Sequence, residues 1–429
     1  MSERSWGFRT RALHAGGTPD PATGARAVPI YQTTSFVFED AADAANLFAL
    51  QKYGNIYSRI GNPTVAAFEE RIASLEGAIG GVATSSGQAA EFLTFSALAE
   101  SGDRIVSASG LYGGTVTQLT GTLRRFGVET TFVGGDRIDD YAAAITDRTR
   151  LLYTEVIGNP GGGIADLAAL ADLAHSHGIP LVVDSTLATP YLCRPIEHGA
   201  DIVLHSATKF LGGHGTTLGG IVVESGKFNW GNGNYPRMTE TVDSYGGLKY
   251  WENFGEYAFC TRLRAEQLRD IGAVLSPHSA FLLLQGVETL PQRMDAHVAN
   301  AQAVASYLAA DSRVAWVSYA GLADHPHHAL ARRYLPAGPG AVFSFGIRGG
   351  RAAGEKFVES VELLSHLANV GDARSLVIHP ASTTHAQLSD EQLRSAGVGP
   401  DLVRLSIGLE DVEDILWDLD QALDKAVAG

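Results

Sequence analysis

Between about Val82 and Ser225, short runs rich in β-branched residues recur, separated by stretches long enough for helices. Seven runs read as strands: GVATSS, RIVSAS, VETTFV, RLLYTEV, PLVVDST, DIVLHSA and GGIVVES. Their apolar residues are continuous rather than alternating, which is the pattern of strands covered on both faces. The pattern predicts a large, mostly parallel sheet in an α/β domain. Just upstream, Asn62 and Pro63 supply an N-cap and a first-turn proline for a helix over NPTVAAFEERIASLEGA, and Gly77 is placed to stop it.

After the Gly/Asn/Pro-rich stretch SGKFNWGNGNYP the period becomes helical. A helix opening at Pro291 puts Met294, Val298, Ala301, Val304 and Leu308 on one face, and a terminal helix does the same with Val412, Ile415, Leu416, Leu419 and Leu423. Strand-like VAWVSYA, AVFSFGI and LVRLSIGL, with a helix expected near residues 354–368, make this a smaller α/β domain. Residues 1–61 lack the βα pattern and read as an extended arm. The expected division is therefore 1–61, 62–262 and 263–429.

Length and composition narrow the classes. The chain has 429 residues, 45% hydrophobic and 18% charged, which suits two or three packed domains and not disorder. With 32 basic against 47 acidic residues, the net charge of −15 disfavours nucleic acid and anionic membranes as partners. Cys193 and Cys260 are too few for a disulfide framework and show no zinc spacing. The charged N-terminus lacks a leader-like apolar stretch, and no run approaches the ~18 apolar residues of a membrane span. A soluble, cytoplasmic protein is expected.

Only six of the basic residues are lysines: Lys52, Lys209, Lys227, Lys249, Lys356 and Lys425. Lys209 stands apart because it follows the strand DIVLHSA, in HSATKFLGGHG, beside the hydroxyls of Ser206 and Thr208. A recessed amine next to phosphate-binding donors suits a carbonyl-trapping nucleophile, whereas alone it is a solvated strand-end lysine. Asp184 ends LVVDST 25 residues earlier, so both emerge at the carboxyl ends of parallel strands, where open α/β sheets bind ligands. An aspartate there can pair with a protonated pyridine nitrogen, although by itself it is as readily a helix cap. The string TSSGQAAEFLTF brings Gly87 to a strand-to-helix turn, a phosphate site of the helix-dipole kind. Tyr112 in SGLYGGT can stack on a planar ring or simply pack. The histidines of HPHH (His325, His327, His328) lie in a proline-containing loop without acidic ligands, so no metal site is expected. GGHGTTLGG lacks the spacing of a dinucleotide loop.

Taken together, these strings resemble the pyridoxal-phosphate (PLP) enzymes of cysteine and methionine metabolism, from about Phe8 to the terminal helix. That resemblance implies the aminotransferase-type fold (fold type I) with a seven-stranded, mostly parallel sheet. By it, Lys209 would hold PLP covalently and shuttle protons, and Asp184 would pair with the pyridine nitrogen. Tyr112 would stack on the ring, and Gly87, Gln88, Ser206 and Thr208 would bind the phosphate. In NIYSRIGNPT, Tyr57 and Arg59 would reach a neighbouring subunit's cofactor phosphate, which implies a homotetramer built from dimers. Arg404, opposite the apolar face of its strand, would clamp the substrate carboxylate, with Asn159 and Asn369 beside it.

Within the family, LHAGGTPDPATGARAVPIYQTTSFVF, SSGQAA, SATKFLGGHGTTLGG, LLLQGVETLPQRM, ANVGDARSLVIHPASTTH and VRLSIGLE are similar to the O-acetylhomoserine sulfhydrylase branch. The implied reaction joins O-acetyl-L-homoserine with sulfide, or a small thiol, giving L-homocysteine and acetate when sulfide is the donor. Asn369, where related lyases and synthases carry serine, and Gly114, where methionine γ-lyases carry cysteine, point the same way. O-succinylhomoserine sulfhydrylase, cystathionine γ-synthase and a C–S lyase are the alternatives inside the family, and a non-catalytic protein of this fold is the alternative outside it. GNPGGG after strand four holds more glycine than the family pattern suggests.

Overall fold

The computed structural model describes residues 6–383 and 398–427. The last two residues of the string ANVGDARSLVIHPASTTH fall outside them. The seven expected strands all form, as β1 (Gly80–Thr84), β2 (Arg104–Ala108), β3 (Glu129–Val133), β4 (Thr149–Glu155), β5 (Leu181–Asp184), β6 (Ile202–His205) and β7 (Gly220–Glu224). Their order is β1-β7-β6-β5-β4-β2-β3, and only β7 runs against its neighbours. β6 and β7 are buried along their whole length because helices cover both faces of the sheet. Register aligns Glu155 with Asp184 and Asp184 with Leu204, so the carboxyl ends of β4, β5 and β6 lie side by side.

Helices α1 (Phe8–His14) and α2 (Ala41–Phe48) interrupt the segment expected to be an extended arm. The apolar side of α1 explains the difference: Ala12 is fully buried and Phe8 packs edge-on against Tyr191, 5.4 Å between ring centres. Helix α3 (Pro63–Glu76) begins and ends as expected, with the Asn62 side chain accepting from the Thr64 amide and Gly77 in the left-handed region. Helix α4 (Gly87–Leu98) follows β1 directly.

A second sheet of β8 (Val314–Ser318), β9 (Val342–Ile347), β10 (Ser365–His366), β11 (Leu376–Ile378) and β12 (Leu402–Ser406) has the order β10-β11-β12-β9-β8. The helix Leu290–Ala310 buries Met294, Ala301, Val304 and Leu308, and the helix Val412–Val427 buries Ile415, Leu419 and Leu423. The helix expected near 354–368 instead spans Gly350–Val358. Beyond it, the amides of Glu362, Leu363 and Leu364 donate to the buried Asp418 carboxylate at 2.7, 2.9 and 2.9 Å, which replaces further helical bonding. One helical run, Ala258–Ile271, crosses the 262/263 junction without a break. Among the described residues, no helix is long and apolar enough to cross a membrane.

Candidate active site

At the carboxyl ends of β4, β5 and β6 a cavity of about 200 Å³ opens, and the sequence-predicted residues Gly87, Gln88, Tyr112, Asn159, Asp184, Ser206, Thr208, Lys209, Asn369 and Arg404 line it together. Tyr57 and Arg59 do not. The Tyr57 side is 40% exposed, and the Arg59 guanidinium lies 5.5 Å from the Tyr57 ring and donates to the Arg269 carbonyl.

Lys209 sits just past β6. Burial first, then the positive charge of Arg404, lower its ammonium to about 8. Its Nζ donates to Asn369 Oδ1. On β12, Val403 and Leu405 turn into the core and leave Arg404 facing the cavity, where Nη1 donates to Asn159 Oδ1 (3.2 Å) and Nη2 to the Asn369 carbonyl (3.4 Å). Burial lowers the Arg404 guanidinium as well. The amine and the guanidinium are thus joined through Asn369.

The start of α4 forms the opposite wall. Ser86 Oγ accepts from the Ala89 amide (3.1 Å), which leaves the earlier amides of this twelve-residue helix for an anion. A Cβ at position 87 would fall 2.6 Å from the Ser206 Cβ, so only glycine lets the helix end approach Ser206 this closely. Thr208 Oγ1 accepts from the Gly219 amide (3.1 Å) and donates to the Gly219 carbonyl (3.2 Å); a phosphate bound here would take that proton in the carbonyl's place. The Gln88 side chain donates to Glu91 Oε2 (3.0 Å) and accepts from Gln118 Nε2 (3.2 Å).

Sequence reasoning missed two carboxyls here. Glu155 ends the apolar strand β4 and accepts from the Tyr112 amide (2.6 Å), which fixes that residue at the cavity rim. Burial, then the nearby Asp184, raise Glu155. Glu91 accepts from Thr115 (2.8 Å) and Tyr153 (3.1 Å), and burial followed by the Asp184 charge pushes it up to about 8. Asp184, which accepts from the Thr186 amide (2.7 Å), is raised by burial. A charged residue closing an apolar strand was the available signal for Glu155; Glu91 lies inside a helix and had none. Such a carboxyl cluster suits a group that brings its own positive charge, as a protonated pyridine does, and the amides of α4 suit its phosphate. The residues present fit PLP.

The profile of the family described as Cys/Met metabolism PLP-dependent enzyme matches residues 9–424. A sulfhydrylase of Fusarium oxysporum is 54% identical, with 98% of each chain covered. The homocysteine synthase of Schizosaccharomyces pombe is 51% identical, covering 99% of this chain and all of that one. Among solved structures, an O-acetylhomoserine (thiol)-lyase from Campylobacter jejuni, described as putative and as holding N'-pyridoxyl-lysine-5'-monophosphate, superposes with a TM-score of 0.94 at 38% identity, over 98% of this chain and all of that one. With a cavity that fits the cofactor, and with these matches spanning nearly its whole length, the chain belongs to the Cys/Met metabolism family of PLP-dependent enzymes.

Proposed function

We propose that this chain is a PLP-dependent transferase that converts O-acetyl-L-homoserine and sulfide into L-homocysteine and acetate, in methionine biosynthesis. The observation that carries this reading is the Lys209–Asn369–Arg404 connection, which sets a near-neutral amine beside a cationic fork. The relatives named for this chemistry agree with it.

PLP, when bound, supplies an electron sink that makes hydrogens on the α and β carbons of an amino acid removable. In this reading Asp184 holds a proton on the pyridine nitrogen, Tyr112 stacks on the ring, and Gly87, Gln88, Ser206 and Thr208 bind the phosphate. Arg404 binds the substrate carboxylate bidentately with Asn159 and Asn369 beside it. Lys209 Nζ would take the α-proton, pass it on and so become free to take a β-proton, and it would return protons after acetate has left and sulfide has added. An amine held at about 8 serves both directions near neutral pH.

The 62–262 segment carries the cofactor, 263–429 supplies the carboxylate clamp, and 1–61 reaches a neighbouring subunit in a tetramer built from dimers. Support comes from the separation of Tyr57 and Arg59 from the Lys209 cavity and from exposed apolar arm residues such as Val37 and Tyr53. Buried free thiols at Cys193 and Cys260 support a reducing, cytoplasmic setting.

The direct test incubates the holoenzyme with acetyl and succinyl esters of homoserine, each with sulfide, methanethiol or cysteine. Homocysteine from the acetyl ester and sulfide is expected to dominate. Preference for the succinyl ester or for cysteine overturns the reading.

A further inference from the structure

Past β4 the chain forms a lobe, residues 157–164, that carries Asn159. A bridge between Ile157 and Ile164 closes its base, and bonds from the Gly158 amide to the Gly163 carbonyl and from the Gly162 amide to the Gly158 carbonyl, both 2.8 Å, brace it internally. Four of its residues are glycines, Gly158, Gly161, Gly162 and Gly163, so its backbone has little stiffness of its own. It borders a second cavity of about 280 Å³, lined by Asp136, Glu155, Gly161, Gly163 and His327 among others. Its base is packed, with Ile157 and Ile164 in the core and Gly158 against Gly110, while hydrogen bonds from outside hold the glycine turn that borders this cavity.

Three side chains from beyond residue 310 supply them. Ser344 on β9 donates to the Pro160 carbonyl (2.9 Å), and Ser318 at the end of β8 donates to the Gly161 carbonyl (2.6 Å). His327 accepts the Ile164 amide at Nδ1 (2.7 Å) while its Nε2 meets Asp136 Oδ2 (2.7 Å). A ring nitrogen that accepts an amide carries no proton, so the proton lies on Nε2 and is directed at Asp136. His327 is itself held by its amide donating to His325 Nδ1 (3.1 Å). A Cβ on Gly163 would lie 3.2 Å from the His327 ring, close enough that the ring would have to shift slightly to admit it. At the far end of the lobe, Asn159 receives Arg404.

We propose that His327, oriented by Asp136, is a positioning residue for substrate-carboxylate recognition: it latches the glycine lobe so that Asn159 keeps the Arg404 guanidinium aimed into the Lys209 cavity. The inference rests on the reading of Arg404 as the carboxylate clamp. It gives a role to the histidine-rich loop and to the glycine-rich run after Asn159, neither of which the chemistry at Lys209 uses.

The test compares His327→Phe, which removes the acceptor, with His327→Asn, whose Oδ1 stands close to the position of Nδ1, and with Asp136→Asn, a change at a mostly exposed carboxylate that replaces the charged acceptor of the ring proton by a neutral one without disturbing a core. Hydrogen exchange of the peptide containing Ile164, followed in the apoprotein, reads the latch directly. Faster exchange is expected in His327→Phe, a smaller acceleration in Asp136→Asn, and recovery in His327→Asn. In the holoenzyme, glycine and methylamine are titrated by cofactor absorbance, and KM values are measured for both substrates. His327→Phe is expected to weaken glycine and raise the KM of the acetyl ester about tenfold, the size of one lost hydrogen bond. Methylamine affinity, the KM for sulfide, kcat and cofactor content should stay within twofold. Unchanged exchange, unchanged glycine affinity, or equal weakening of glycine and methylamine overturns the latch. Should wild type ignore O-acetylhomoserine while the glycine and exchange differences persist, the substrate reading fails and the latch stands.

Discussion

Lys209 donates from Nζ to the side-chain oxygen of Asn369, and the backbone carbonyl of the same asparagine accepts from Arg404 at 3.4 Å. One residue therefore touches both the nucleophile and the anion-binding fork, the first through its side chain and the second through its backbone. Its side-chain oxygen favours the charged amine, whereas burial and then Arg404 disfavour it.

These opposing influences can be separated. Asn369→Ala removes an acceptor from the ammonium and is expected to lower the Lys209 midpoint by about one pH unit, from a charged hydrogen bond of about 1.5 kcal/mol. Arg404→Leu removes a repelling charge and is expected to raise it. The pH dependence of dinitrophenylation of Lys209 in the apoprotein, followed by peptide mass spectrometry, reads both. Movement of the two variants in the same direction would contradict the arrangement.

The buried Asp418 carboxylate organises the turn after Val358 by accepting three successive amides, and it also accepts Gln421 Nε2 at 2.8 Å. Asp418→Ala leaves those donors facing a dry void, and a loss of about 3 kcal/mol in unfolding free energy is expected. Urea unfolding measures it; a change below about 0.5 kcal/mol would mean that water replaces the carboxylate.

The same turn shows where local pattern stops being informative. The seven strands were legible because a doubly covered strand leaves a continuous apolar run, and Lys209 and Asp184 were legible because they end such runs. The end of the helix at Val358 was not, since the group that replaces its hydrogen bonds lies more than fifty residues downstream. Glu91 was hidden for a related reason. Its surroundings, Thr115, Tyr153 and Asp184, come from three other segments, and nothing near it in sequence marks it as buried. His327 was visible as a residue, but its partners Asp136 and Ile164 lie more than 160 positions away.

Tyr57 and Arg59 stand outside this chain's own cavity, and the proposed role in a neighbour's site makes a complementation experiment decisive. Lys209→Ala and Arg59→Ala are each expected to be nearly inactive. Refolded or co-expressed at equal amounts, they should regain about a quarter of wild-type activity, because half of the random dimers are mixed and each contains one intact site. No recovery, with mixed dimers demonstrated by mass, would place Arg59 in its own subunit's site or in none.

The carboxyl cluster gives the apoprotein a pH dependence of stability whose sign is fixed by the direction of the shifts. Burial raises Glu91 to about 8, and it raises Glu155 and Asp184 too, above the ~4 of carboxyls in an unfolded chain. A group raised by folding binds its proton more tightly in the native state. Its contribution is therefore fully present below about pH 4 and is lost as pH rises through the folded value. For Glu91 the loss runs from about 4 to about 8, so the apoprotein is expected to melt at progressively lower temperature across that range. Glu91→Gln keeps a side chain of the same shape that never ionises. It should flatten the decline and leave the variant more stable than wild type at pH 9, with a residual slope from Glu155 and Asp184. Adding PLP should shrink the slope in wild type, because a cationic ring beside Asp184 favours an ionised carboxylate there. Melting curves of apo and holo protein between pH 5 and pH 9 test both statements, and an apo profile that rises with pH would show that these carboxyls are ionised in the native cavity.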